Sequence, residues 1–325
     1  VIRYSIRRIL YALPILLGIN LITFVLFFVV NSPDDIARMQ LGEKRLSPEA
    51  VQRWKAERGY DRPLLYDATA PGIESVTRTI LYERSLALFR FDFGSSDAGR
   101  DIGRDIATRM WPSLAVALPT LVLGVAVNVL VALGVVAVRG SALDRGTMVA
   151  MVALMSISAL FFIIGAQYLF AILLRWVPVS GYADGTGAWR FVALPVAVGV
   201  LSGLGGGVRW YRNLFLEEVG KDYVRTARAK GLPERLVLLR HLLPNGLIPI
   251  LTGIVVVLPS LFMGSLITES FFAIPGLGSY TIDALRNQDF AIVRAMVFLG
   301  AVLHMLGLLL TDLCYALVDP RIRLE

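Results

Sequence analysis

The densest chemistry in this sequence lies in one stretch, Asp222-Tyr223-Val224-Arg225-Thr226-Ala227-Arg228-Ala229-Lys230-Gly231-Leu232. Ala227 and Gly231 stand four residues apart, on one side of any helix formed there, and side chains that small permit another surface to approach closely. Arg225, Arg228 and Lys230 rim that side with positive charge. Local signals predict how the stretch folds. Asp222 is expected to cap a helix over 223–230, Gly231 to end it in the left-handed conformation, Pro233 to open a second helix and Pro244 to close it. Two readings follow. One is a helix that docks on a protein; the other is an amphipathic segment drawn to anionic lipid at about 1 kcal/mol per basic residue. The second explains the charge but not the small face.

A second constellation joins Glu269 and Phe272 to the turn Ile274-Pro275-Gly276. Pro and Gly set a rigid bend, so the group reads either as a gate or as an ordinary exposed turn. Other ionisable groups fall in apolar runs, where insertion costs about 2.5–3.5 kcal/mol. They are His304, Asp312 and Arg294. For His304 the readings are a neutral imidazole hydrogen-bonded to a neighbouring helix or a group handling substrate or protons; Asp312 is expected to fix packing or a helix end. Asn20, Asn128 and Gln167 suit hydrogen bonds between helices, worth about 0.6 kcal/mol each. Covalent chemistry lacks parts. There is no GxxxxGK[ST] phosphate loop, no HExxH pair and no pair of membrane aspartates, and the histidines are His241 and His304 alone. With Cys314 the single cysteine, no internal disulfide is possible.

The elements that must carry these groups are apolar helices. The chain has 325 residues, 56% hydrophobic, with a mean hydropathy of +0.67, more than one soluble core would hide from water. Six runs approach or exceed the roughly 20 residues that cross a bilayer. They are residues 9–30, 113–138, 147–174, 191–208, 246–268 and 291–318. The fourth is loosened by Gly203, Gly205, Gly206 and Gly207, which invite close helix approach, and Pro249 and Pro259 are expected to bend the fifth. The first is too long for a signal-peptide core and reads as an uncleaved anchor. The expected fold is therefore an all-α integral membrane protein with six transmembrane helices.

Short connections on one side of these runs carry fifteen basic residues, including Arg3, Arg7, Arg8, Arg139, Arg145, Arg321 and Arg323, against Arg175, Arg190 and Arg286 on the other. Both termini are thus expected in the cytoplasm. Residues 31–110 hold thirteen basic and thirteen acidic residues and are placed outside. Within them, Ser47-Pro48 should start a helix that shows Val51 and Trp54 on one face and stops at Gly59, a second helix is expected over 73–88, and a third over 102–110 at the interface, leading into the second run. This segment reads as a connector or as a platform for an external partner. Trp111, Trp176, Trp189 and Trp210 fall at run ends, as interfacial residues do. Basic loops facing an anionic leaflet account for the +7 charge without nucleic acid.

The segment Arg225 to Gly231, followed by His241-Leu242-Leu243-Pro244, resembles the EAA loop of binding-protein-dependent ABC importers. Arg225, Thr226 and His241 depart from the general pattern, while Ala227, Gly231, Leu243 and Pro244 fit it. The version here is similar to that of the dipeptide and oligopeptide branch, as are Glu269-Ser270-Phe271-Phe272-Ala273-Ile274-Pro275-Gly276-Leu277-Gly278, Phe91-Asp92-Phe93-Gly94 and the ending from Asp312 to Arg323. A large loop directly after the first run resembles the B-type subunit.

The resemblance implies a type I importer permease fold with three segments: 1–30, the N-terminus and first helix; 31–112, an external helical region; and 113–325, a five-helix core with a coupling loop at 217–244. It implies a C-type permease partner, two ATPase subunits that bind ATP and Mg, an external substrate-binding protein, and a bacterial plasma membrane, with no cofactor on this chain. It also implies that Tyr223, Arg225, Thr226, Ala227, Arg228, Lys230, Gly231 and Leu232 contact an ATPase, with Glu269, Phe272, Pro275 and Gly276 at the outer gate or pathway. Branch members carry dipeptides, longer peptides, glutathione or nickel complexes. An ion-gradient transporter would require charged or broken helices repeated in two halves, and a membrane scaffold would leave the 222–231 helix without a purpose.

Overall fold

The computed structural model describes residues 2–42 and 47–318, and among these the secondary structure is helical. The sequence ending from Asp319 to Arg323 lies outside the described residues. Five helices are long and apolar enough to cross a membrane, Ile6–Val30, Ile102–Ala137, Trp189–Val219, Glu234–Met263 and Phe290–Cys314, and a bent pair makes the sixth candidate. Packing divides the chain into two units, one of residues up to Arg109 with Tyr280–Leu309 and one of Met110–Ser279 with the residues from Leu310. This division differs from the three segments drawn from sequence order, because residues far apart in sequence pack together.

In the first unit, the helix Ile2–Phe24 runs on as a π-helical turn, Val25–Val30, and stops where Ser32 forms a capping box with Asp35 for Pro33–Leu41. Ser47 caps Pro48–Arg58 and Gly59 ends it at φ +66°, with Val51 and Trp54 buried, as the sequence predicts. An aromatic core follows. Phe28 packs on Phe24 and Tyr60, and Trp54 stacks on Tyr60 with ring centroids 5.4 Å apart. Asp97 N–H donates to Asp289 Oδ2 at 3.1 Å, closing a separation of 192 residues. The helix expected over 73–88 is broken instead into Glu74–Thr77, a π turn at Leu81–Ser85 and a 3₁₀ turn at Leu86–Arg90. Its ladder is diverted: Ile80 and Leu81 donate their N–H groups to the carbonyls of Pro63 and Leu64. The expected 102–110 helix leads directly into the second apolar run, as the start of Ile102–Ala137.

The second unit corrects two expectations about spans. The third apolar run is not one rod: Ala142–Met155 and the helix from Ala159 to Leu173 meet at 89°. Ser158 adopts an extended conformation and accepts the Leu160 N–H, starting a new helix where the old one ends. The fifth run begins earlier than residue 246, at Glu234, and Pro244 does not close a helix. A π turn over Val237–Leu242 precedes the proline and shifts the hydrogen-bond register, so the helix absorbs its missing N–H. After Val257 the run tightens into a 3₁₀ turn at Pro259–Met263 and ends at Gly264, whose φ is +66°. Pro259 opens that 3₁₀ turn and Pro249 lies inside the helix Leu243–Val257, and Glu234–Met263 counts as one span.

The glycine-rich fourth helix, Trp189–Val219, is approached as predicted, though not by every glycine. A Cβ at Gly205 would meet the Met151 carbonyl at 2.6 Å and one at Gly207 the Asn128 amide at 2.5 Å, while Gly203 and Gly206 face open space. Trp111, Trp176, Trp189 and Trp210 are all exposed, consistent with interfacial positions.

Candidate functional site

The 217–244 loop forms a rigid elbow. Lys221 sits at the N-cap of the helix Asp222–Ala229 without a side-chain cap, so Asp222 is its first residue and not its cap. Gly231 takes φ +75° and donates to the Arg228 carbonyl at 2.9 Å, ending the helix as its lack of a Cβ allows. Pro233 then starts Glu234–Leu236. Arg228 forks onto Glu234 at 2.6 and 3.1 Å, closing the two arms on each other. Tyr223 donates its hydroxyl to Glu218 at 2.6 Å, and Glu218 also pairs with Lys221. Burial and then the Glu218 carboxylate push the Tyr223 phenol well above its ordinary range.

Beneath these pairs lies an apolar anchor. Val224 and Ala227, the latter 4% exposed, join a buried cluster with Val129, Leu133, Val136, Phe215, Val219 and Leu242. Ala227 is therefore not on the face open to a partner: its small side chain lets the helix sit close to its own unit. The outward face consists of Arg225, Thr226, Ala229, Lys230 and Gly231, with Arg228 and Leu232 half-buried at its edge. Arg228 also departs from expectation, since its charge is engaged by Glu234 of the same elbow. Among the described residues Arg225 has only a loose charged neighbour, Asp222 at 3.6 Å, with both side chains well exposed.

The second constellation is a knot around Glu269, which is 1% exposed. Its Oε1 accepts the Ser265 N–H at 3.2 Å and its Oε2 the Ser279 N–H at 3.1 Å. The Ser113 hydroxyl and the Gly278 N–H also bond to it. Ser113 in turn accepts the Leu277 N–H at 2.8 Å, fixing Ile102–Ala137 to the turn. A Cβ at Gly264 or Gly276 would overlap the Glu269 carboxylate, so glycine at both positions makes the cage possible. Burial raises the Glu269 pKa above the usual carboxyl range, against the hydrogen bonds from Ser113, Ser279, Ser265 and Gly278, which lower it. Thus the 274–276 turn is not an ordinary exposed turn: Ile274 and Gly276 are buried and only Pro275 is exposed. Phe272 packs inward with Val116, Ile163 and Leu194, and its carbonyl accepts the Gly181 N–H at 2.8 Å. A cavity of about 490 Å³ adjoins the knot, with Ser113, Thr120, Ser202, Ser260 and Thr268 supplying hydroxyls among apolar walls.

Residues 131–324 match the family described as binding-protein-dependent transport system inner membrane component, and residues 1–70 match the N-terminal part of such membrane components. The chain belongs to this family. This transport component is similar to a putative peptide transport system permease protein of Brucella abortus, at 30% identity over 98% of both chains. It is equally similar to the dipeptide transport system permease protein DppB of Escherichia coli, at 30% over 99% of both chains, and to a di/tripeptide transport system permease protein DppB of Pseudomonas aeruginosa, at 30% over 98% of this chain and 97% of the relative. It is an all-helical, multi-pass membrane component with the type I importer permease fold, and not a catalytic enzyme.

Sequence reasoning located both constellations in this transport component but missed the groups that hold them. Ser113 and Ser279 carry no local motif that singles them out, and Ser265 offers only an N-cap signal, which it fulfils by accepting the Thr268 N–H. Asp144 and Arg212 form a two-pronged ion pair at 3.0 Å between Ala142–Met155 and Trp189–Val219, although the sequence shows Arg212 only as one more basic loop residue. Asn20 donates to the Ser85 carbonyl at 3.0 Å, and Gln167 to the carbonyls of Val179 and Phe271 at 3.0 and 3.2 Å, so both reach backbone and not another side chain. Buried Asn128 packs against Gly207, with no partner for its Oδ1 among the described residues. His304 is exposed on its helix, and the hydrogen bond expected from it to a neighbouring helix does not form among the described residues; Asp312 is half-buried.

Proposed function

We propose that this chain is the B-type permease subunit of an ATP-driven peptide importer, forming half of the pathway beside a C-type permease. Two cytoplasmic ATPase subunits and an external substrate-binding protein complete the assembly, in a bacterial plasma membrane with both termini of this subunit in the cytoplasm. ATP and Mg belong to the ATPases, and this chain binds no cofactor. The relatives' names, all peptide permeases, favour peptide cargo over nickel or glutathione. An ion-gradient mechanism has no comparable support.

The observation that carries the reading is the construction of the elbow. Its buried Val224 and Ala227 hold the two arms as one body, with the Arg228–Glu234 fork and the Tyr223–Glu218 bond as lesser ties nearer the surface, while Arg225, Thr226, Ala229 and Lys230 remain on its surface. A rigid body of this kind transmits a push. When the ATPases close on ATP, a groove holding the exposed face would displace the elbow, and the helices rooted in it would move between inward-facing and outward-facing states. The energy comes from different contacts in the two states. In this reading the Glu269 knot keeps the outer ends of the helices together as they move, and the adjoining cavity offers hydroxyls along the cargo's route.

Ala229→Trp tests the assignment, because Ala229 is exposed and its replacement leaves the buried anchor alone. In vesicles containing the full complex, ATP-dependent peptide uptake is expected to fall at least tenfold with subunit insertion unchanged. Wild-type uptake in this variant would remove the docking face from the mechanism.

A further inference from the structure

Arg294 lies near the start of the helix Phe290–Val318 and is 4% exposed. Its guanidinium stands over the Phe28 ring, 4.5 Å from the centroid, and neither its Nε nor its Nη1 has a hydrogen-bond acceptor among the described residues. A guanidinium removed from water costs several kcal/mol unless it is paired and hydrogen-bonded, and a buried cation–π contact returns only about 2. Asp97 shares its surroundings without completing a pair: Tyr60 donates to its Oδ1 at 3.4 Å, and its Oδ2 has no partner among the described residues. Burial and the neighbouring Asp289 push the Asp97 carboxyl up to about 6, which weakens it as a counter-charge.

Arg294 also lines a cavity of about 370 Å³ within the first unit, together with Arg84 and Arg90. Arg84 is anchored on the Arg58 carbonyl and lies over the Tyr60 ring. Arg90 donates to the Tyr82 hydroxyl at 3.0 Å from an exposed position at the rim. Of the two acidic residues of the lining, Glu83 pairs with Arg62, and Asp92 accepts the Gly94 N–H at 3.1 Å on the cavity wall, leaving the three arginines in excess of the acidic charge. Three guanidiniums are thus oriented by rings, a carbonyl and a hydroxyl, with no carboxylate paired to any of them among the described residues. Leu86 and Phe93 supply an apolar wall.

We propose that this cavity binds a small organic carboxylate, whose charge is received by Arg294 and Arg84 with Arg90 at the entrance and whose organic part lies on Leu86 and Phe93. The planar guanidinium fork matches a carboxylate in geometry and charge, and a negative charge in the cavity would offset the cost of the buried Arg294 charge. Neither the elbow nor the Glu269 knot takes part, so the assignment stands or falls apart from the transport reading.

The test measures thermal shifts of the purified complex containing this chain with N-acetylalanine, its neutral amide and sulfate as probes. N-acetylalanine is expected to raise the melting temperature saturably, the amide and sulfate to have no such effect, and Arg294→Gln to abolish the response. Should that variant fold poorly, Arg90→Ser at the exposed rim is expected to weaken binding about tenfold, equal to about 1.4 kcal/mol. An equal response to sulfate would mean a generic anion site and overturn the carboxylate assignment. No response to N-acetylalanine, an equal response to the amide, or unchanged binding in Arg90→Ser would overturn the site itself.

Discussion

The elbow at 217–244 and the Glu269 knot flank the same helix, Glu234–Met263, and both hold a turn rigid, yet they use polar groups in opposite ways. At the elbow, side chains pair with side chains near the surface, over an apolar anchor that includes Val224 and Ala227. In the knot one buried carboxylate gathers backbone N–H groups from both sides of a turn. Surface pairs exchange easily with water and cost little to lose. A buried acceptor serving several donors does not, because each donor it releases remains without water or protein. The elbow can therefore present a changeable polar skin to a partner, while the knot leaves no room for substitution.

The largest expected effect follows at Glu269. Glu269→Ala would strand the Ser265, Ser279 and Gly278 N–H groups, at about 1–3 kcal/mol each, and is expected to prevent recovery of folded complex. Glu269→Gln retains an acceptor and should lose less. The two also separate by pH. Since burial raises the folded pKa above 4.5, the stability linked to this group is full below that value and is lost as pH rises through the folded pKa. Melting temperatures across pH should show that decline in the wild type and not in Glu269→Gln. A wild-type melting curve for Glu269→Ala would erase the contrast between the two regions.

Matched glycine variants sharpen it further. Gly231 and Gly264 both have positive φ, +75° and +66°. At Gly231 an added Cβ meets nothing within 4 Å, so Gly231→Ala should cost only the backbone strain of about 1–2 kcal/mol. At Gly264 the same methyl would overlap the Glu269 carboxylate and approach Ser113 Oγ at 2.6 Å. Overpacking adds about 1–3 kcal/mol there, beside a backbone strain of about 1–3 kcal/mol, because ψ −167° puts Gly264 in a region essentially reserved for glycine. Thermal melts of the two variants should therefore differ clearly, with Gly264→Ala the less stable; equal shifts would mean that the knot relaxes more freely than its hydrogen bonds suggest.

Local punctuation was readable from the sequence, and partnership was not. Ser47-Pro48 with Gly59, and Gly231 after the 222–229 helix, act through dihedral preferences and near-neighbour bonds, so spacing alone predicts them. The position of Ala227 illustrates the limit. A small residue on a helix face permits close approach, but only the fold decides whether the approaching surface belongs to a partner or, as here, to the chain's own Val129–Val136 stretch. The Ser113–Leu277 bond spans 164 residues and has no local signature. The 89° bend was missed because Ser156 and Ser158 sit in an unbroken apolar run, where length and hydropathy outweighed a single cap signal. Pro244 misled for the opposite reason: a strong helix breaker was accommodated by a register shift just before it.

The smallest expected effect concerns the Arg228–Glu234 fork. Its side chains are 32% and 45% exposed, so a double-mutant cycle with Arg228→Gln and Glu234→Gln should give a coupling of about 0.3–1 kcal/mol. That value should shrink as salt shortens the screening length from about 10 Å at 0.1 M to about 3 Å at 1 M. Transport should be nearly unchanged, because the buried anchor continues to hold the helix. Val224→Ala, which trims that anchor without touching the exposed face, should impair uptake more than either glutamine variant. If the fork variants prove the more damaging, the charges themselves join the arms of the elbow, and its rigidity would depend on ionic strength in a way the knot's does not.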